Sequence, residues 1–426
     1  MRKKAWIVSV NMGYGHQRTA FPLRSLAPDG EIINANDYSD IPEKDRKIWE
    51  TSRRFYEFVS KFKRVPVIGA FTFFLFDQIQ KIFSFYPKRD LSKPNIQLTK
   101  IYSLIKGGWG AHLIKKLKEK NIPLITTFFT PAFMAEYFNY PNDIFCIICD
   151  TDISRTWAPL SPKSSKIKYF APNIRVVERL KLYGVKSRNI FFTGFPLPIN
   201  IVGTEKFEIV RRDLGYRMLN LDPQKKYFQT YEPLIKKYIG KLPPKTNHPL
   251  TLMFAVGGAG AQKEIGIKIL RSLKRYIEEK EIKIILVAGT RKGVRDYFEE
   301  KIKKLRLEKN QNIEIIFEKN IFNYFKKFNK TLRKTDILWT KPSELSFYTA
   351  LGLPIIIAPP IGSQEEFNKR WLDNLGSGLY QKNPNYVHQW LFDFLNAGWL
   401  AEAAMQGFIE AENLGVLNIE KIISKK

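Results

Sequence analysis

The sequence predicts an α/β protein with two doubly wound parallel sheets, on three observations. Two buried-strand patterns, residues 5–10 and 250–256, each run straight into a glycine-containing turn and then a helical pattern. Each opening continues as short apolar runs alternating with amphipathic stretches, the order expected of βαβ units. With 426 residues, each series has enough chain for its own core.

In the first series, a strand at 5–10 meets Asn11-Met12-Gly13-Tyr14-Gly15-His16, a helix follows over about 17–26, and a second strand lies at 31–35. Residues 43–106 form a helical, aromatic and basic insertion, densest between Arg53 and Arg89. The pattern then resumes with strands at 124–129, 144–149, 169–171 and 190–193, and a helix at 174–183. A Lys- and Pro-rich stretch, 199–249, reads as a linker or insertion after a first domain of residues 1–198.

The second domain, 250–385, starts with a strand and Gly257-Gly258-Ala259-Gly260. Helices at 264–280, 294–305 and 344–351 alternate with strands at 283–288, 313–317, 338–339 and 354–358. Residues 386–426 read as helices that return to the first domain.

Composition narrows the function. Lys and Arg number 70 against 41 Asp and Glu, a formal charge of +29. That excess suits an anionic substrate, an anionic membrane surface or nucleic acid, and Lys-rich coding bias gives the same pattern. The basic residues spread along the whole chain without a nucleic-acid-binding motif, which disfavours nucleic acid. Cys146 and Cys149 are the only cysteines, inside a strand-like run, so a buried structural role and a reducing compartment are expected. The longest apolar stretch, 65–76, is shorter than the roughly 20 residues a spanning helix needs. A cytoplasmic protein, peripheral on the inner face of the cell membrane, is the expectation.

Five segments carry chemistry. Glycines between a strand and a helix, as at Gly257, Gly258, Ala259 and Gly260, let backbone N–H groups approach a phosphate. Lys341-Pro342-Ser343-Glu344 follows a strand, with Ser343 placed to cap a helix and Lys341 to meet an anion. Gly362, Gln364, Glu365 and Asn368 come from the loop after the strand at 354–358, where open sheets bind ligands, and suit sugar hydroxyls. In the first half, Gly13, Tyr14 and Gly15 present His16 at a helix start, a candidate general base. Asp150 and Asp152 end another strand and could orient His16, bind an acceptor hydroxyl or cap the next segment.

Taken in order, five stretches resemble a known family. They are Gly13-Tyr14-Gly15-His16; Cys149-Asp150-Thr151-Asp152 with Thr156-Trp157; Thr193-Gly194-Phe195-Pro196; Val256 through Gly260; and Thr340-Lys341 through Gly352-Leu353-Pro354 to Gln364-Glu365-Glu366-Phe367-Asn368. The chain resembles the GT-B glycosyltransferases that include monogalactosyldiacylglycerol synthases, processive diacylglycerol glucosyltransferases and the peptidoglycan N-acetylglucosaminyltransferase. The resemblance implies two Rossmann-like domains facing across a cleft. It implies a UDP-sugar donor held by the second domain and a hydroxyl acceptor, lipid or lipid-linked glycan, held by the first. It implies inversion at the anomeric carbon and no metal or other cofactor. Gly257 and Gly258 would border the diphosphate, Gln364 and Glu365 the donor sugar, and His16 the acceptor. The aromatic-basic insertion falls where lipid-using members meet the membrane.

One departure bears on the donor. The family carries a ribose-binding Glu five residues before the glycine of Gly-Leu-Pro, and that position here is Phe347, with Glu344 as its replacement candidate. Two other functions fit parts of the sequence: a UDP-N-acetylglucosamine epimerase of the same architecture, and a non-catalytic basic protein that binds nucleotides or nucleic acid.

Overall fold

The first apolar run becomes strand β1 (Trp6–Ser9), with Ile7 and Val8 fully buried. The computed structural model describes residues 3–62, 82–257, 260, 262–360 and 363–424. It divides into unit 1, Met1–Pro196 with Gly362–Gln364 and Leu414–Lys426, and unit 2, Leu197–Ile361 with Glu365–Asn413.

In unit 1, β1 is joined by β2 (Ile32–Asn34), β3 (Leu124–Thr126), β4 (Ile144–Ile147), β5 (Lys168–Ala171) and β6 (Ile190–Phe192). All pair in parallel in the order β2-β1-β3-β4-β5-β6. The helices are α1 (Tyr14–Ala20), α2 (Glu43–Phe62), α3 (Ile96–Lys106), α4 (Ala111–Leu117), α5 (Phe129–Tyr137) and α6 (Ile174–Leu182). The helix expected over 17–26 is shorter and tighter. Pro22 has no N–H to continue an α-helix, so α1 stops at Ala20 and Phe21–Leu26 winds as a 3-10 turn. Most of the aromatic-basic run, 63–81, lies outside the described residues.

Unit 2 repeats the plan with β7 (Leu250–Ala255), β8 (Ile282–Gly289), β9 (Ile313–Phe317), β10 (Ile337–Thr340), β11 (Ile355–Ile357) and β12 (Gly378–Tyr380). Its parallel order is β12-β11-β10-β7-β8-β9. The expectation of two Rossmann-like α/β sheets therefore holds, each with six parallel strands.

Residues 199–249, expected as a linker or insertion, have regular structure. They form helices α7 (Ile199–Val202), α8 (Glu208–Leu221) and α9 (Lys226–Tyr238), which count with unit 2. Arg217 of α8 is fully buried, and its guanidinium donates to the carbonyls of Thr335 (2.8 Å), Leu351 (2.7 Å) and Gly352 (3.1 Å). These oxygens include the end of the 344–351 turn, where a helix leaves carbonyls unsatisfied. A cation bonded to helix-end carbonyls is favourable, so α8 fixes the far end of the segment that begins at Lys341.

The rest of unit 2 comprises α10 (Lys263–Ser272), α11 (Lys274–Glu278), α12 (Lys292–Lys304), α13 (Ile321–Leu332), α14 (Ser363–Leu375), α15 (Val387–Asn396) and α16 (Trp399–Glu410), with the first residues of α14 counting with unit 1. The last helix, α17 (Gly415–Ser424), counts with unit 1, where the Asn418 amide donates to the Thr193 carbonyl at 3.0 Å.

Candidate functional site

In unit 1 the carboxyl ends of β1, β3 and β4 converge on His16. Gly13 starts α1 at φ 102°, a left-handed value that disfavours side chains, and places Tyr14, Gly15 and His16 in the first turn. His16 Nδ1 lies 2.9 Å from the carbonyl oxygen of Thr127, just past β3. A carbonyl only accepts, so Nδ1 carries the hydrogen. The ring meets Phe128 edge-on at 4.9 Å and Trp157 at 6.3 Å. Burial lowers its pKa to about 4, against the raising effect of the Thr127 carbonyl. The ring is therefore neutral at ordinary pH, with Nε2 holding a basic lone pair.

The structure separates the two expected carboxylates. Asp150 is partly exposed at the end of the β4 segment. Asp152 is buried and accepts from Arg179 Nε and Nη2 of α6, both at 2.8 Å, and from the Ile153 amide at 2.9 Å, a cap on the segment that follows. Two guanidinium bonds inside the unit give this carboxylate a structural partner.

The cysteines are buried as expected, but only Cys146 lies within a strand: β4 ends at Ile147 and Cys149 stands beyond it. Both thiols are buried and neither forms a disulfide. Burial pushes the Cys146 thiol well up. Cys149 Sγ instead lies 3.2 Å from His16 Nδ1, a contact across 133 positions of sequence that local pattern does not reveal.

In unit 2 the ends of β7 and β10 bring Gly257 and Lys341 together. A Cβ on Gly257 would sit 2.3 Å from Lys341 Cε, so only glycine lets the lysine chain cross the turn. Beyond it, Lys341 Nζ pairs with Glu365 Oε1 in the first turn of α14. Pro342 is buried, and the Ser343 hydroxyl accepts from the Leu345 amide at 3.5 Å, capping the 344–351 turn, which is 3-10 rather than α. Glu344 is partly exposed in that first turn. Phe347 is buried against Trp371 of α14, ring centroids 5.0 Å apart, so it belongs to the core. Gln364 counts with unit 1, whereas Glu365 counts with unit 2. Gly258, Ala259 and Gly362 lie outside the described residues.

Sequence reading missed a cavity in unit 2, about 410 Å³, lined by Thr290, Lys292, Arg295, Phe317 and Lys319. It opens where β8 and β9 end. The Arg295 guanidinium stands 4.8 Å above the Phe317 ring. Gly260 of the glycine turn lies against Arg291 and Val294 at the start of α12, so turn and cavity adjoin. The available signal was Arg291-Lys292 opening a helix straight after a strand.

Comparison with known proteins adds relatives. The model of one family, described only as a domain of unknown function (DUF6938), matches residues 243–312 and 304–418. A processive diacylglycerol β-glucosyltransferase of Bacillus subtilis is 21% identical over 214 residues, 50% of this chain and 45% of that protein. The chain resembles the GT-B glycosyltransferases. It spans less than half the length of that curated relative. Among solved structures, it is similar to Acinetobacter baumannii MurG (12% identity, TM-score 0.48, 99% of this chain and 100% of that one). It is also similar to the UDP-GlcNAc 2-epimerase of Neisseria meningitidis bound to UDP-GlcNAc (16% identity, TM-score 0.44, 78% and 82%).

Proposed function

We propose that this protein is a glycosyltransferase that moves a hexosyl unit from a UDP-sugar to a hydroxyl acceptor, with inversion. The observation that carries this reading is the Gly257–Lys341–Glu365 arrangement. It sets a cation and a hydroxyl-accepting carboxylate side by side at the carboxyl ends of parallel strands. A diphosphate joined to a sugar needs both. The adjoining cavity, with Phe317 for stacking and Lys292 and Lys319 for charge, takes the rest of a nucleotide. Unit 1 supplies the base. His16 Nε2 takes the acceptor proton as the acceptor oxygen attacks the anomeric carbon, and the bond to the diphosphate breaks with its electron pair leaving on UDP. Lys341 and the α12 amino terminus meet that charge without a metal ion.

Thermal shift with UDP-, GDP- and dTDP-sugars tests the donor side. Stabilisation by UDP-sugars alone is expected, and Gly257→Ala is expected to remove most of it. The new Cβ displaces only the flexible end of Lys341, so the unliganded melting temperature should stay within a few degrees. No shift with any nucleotide would overturn the proposal. Epimerised UDP-N-acetylglucosamine without any acceptor would reassign the fold to epimerase chemistry.

The acceptor in this reading is a lipid or lipid-linked glycan at the inner face of the cell membrane. Among the described residues no helix is long and apolar enough to cross a membrane. Tyr86 and Ile174 are 70% and 58% exposed, close in sequence to Lys88 and Arg175, and such apolar side chains and cations suit an anionic headgroup layer. Sedimentation with phosphatidylglycerol vesicles at low salt should pellet the protein, and added salt should release it. Protein left in the supernatant at low salt would refute the membrane assignment.

A further inference from the structure

Cys149 has no role in the scheme above, yet its sulfur lies as near to His16 as a hydrogen bond requires, 3.2 Å from Nδ1. The direction of that contact follows from its neighbour. If the thiol donated to Nδ1, the nitrogen would present a lone pair to the Thr127 carbonyl oxygen 2.9 Å away, lone pair against lone pair. The hydrogen must therefore be on Nδ1, with the carbonyl taking the main branch and the sulfur a weaker second one. Each acceptor comes from a different element, Thr127 past β3 and Cys149 past β4, so together they fix the ring in two directions.

We propose that Cys149 is a positioning residue for His16, sharing the Nδ1 hydrogen with the Thr127 carbonyl so that the ring has one orientation and Nε2 remains the basic atom. This rests on His16 acting as the base. Cys146 supplies an internal contrast. It is equally buried, but it sits within β4, where its register partners are Thr126 of β3 and Tyr169 of β5.

The test compares Cys149→Ala, Cys149→Ser and Cys146→Ala in the full chain, using ring ¹⁵N NMR of His16 alongside transfer rates. Wild type should show a protonated Nδ1 and a bare Nε2 as one species. Cys149→Ala should give mixed tautomers or broadened ring signals and about a 2- to 10-fold lower turnover, the span of one lost hydrogen bond. Cys149→Ser retains an acceptor and should restore the single species and most of the rate. Cys146→Ala should leave the His16 signals in place. Unchanged His16 signals in Cys149→Ala would overturn the proposal whatever the rate does. If Cys149→Ala does not fold, a mixed-tautomer spectrum in Cys149→Ser would overturn it equally. If His16→Ala itself leaves transfer intact, the functional reading fails, while the ring signals still decide the positioning role.

Discussion

Replacing His16 with alanine is expected to slow transfer by about 10²- to 10⁴-fold, the usual worth of a positioned general base. The loss should fall on kcat, because the imidazole acts on the proton in flight and donor binding is placed in unit 2. The pH profile is the sharper check. An ordinary histidine loses its basic form as pH falls through about 6.5. Here burial lowers the pKa to about 4, so the acid limb of the profile should stay flat down to pH 6 and fall only as pH approaches 4. A midpoint near 6.5 would show that the working base is another group.

The same shift has a stability consequence of fixed sign. Between about 4 and 6.5 the unfolded chain binds a proton at His16 that the folded protein refuses. Stability therefore declines as pH falls through that window. Urea unfolding of the wild type should lose more between pH 7 and pH 5 than unfolding of His16→Gln does. Equal losses would contradict the burial of the ring.

The strands and glycine turns were legible because a buried parallel strand shows itself as an apolar run, and a strand–helix turn as its glycines. Positions set by where a strand ends were legible as well: Gly13, His16, Gly257 and Lys341 all stand just past a strand. What escaped depends on contacts distant in sequence. Nothing local marks Arg217 as a core residue; the carbonyls of residues 335, 351 and 352 make it one. The stretch 199–249 read as a linker or insertion without its helices, because its Lys and Pro content is that of a loop, yet α9 contains Pro233 and still forms. Phe347 seemed a gap in a ligand site until Trp371 appeared opposite it. Asp152 and Asp150 are two positions apart and look alike in sequence, and nothing local shows that Asp152 faces a buried arginine 27 positions on.

That arginine sets the largest expected stability effect. Removing the carboxylate in Asp152→Ala leaves the Arg179 guanidinium inside unit 1 without its counter-charge, and truncating one partner of a buried pair costs about 3–5 kcal/mol. Arg175, whose Nε is 3.9 Å from the same carboxylate, would add an unbalanced positive charge nearby. Asp152→Asn should cost less, since an amide oxygen can still accept one guanidinium bond. Chemical denaturation of both variants gives the measurement. The double variant Asp152→Leu with Arg179→Met, with neither charge left to bury, should recover much of the loss. A single Asp152→Ala variant as stable as wild type but inactive would reverse the assignment, making Asp152 a group of the reaction rather than of the fold.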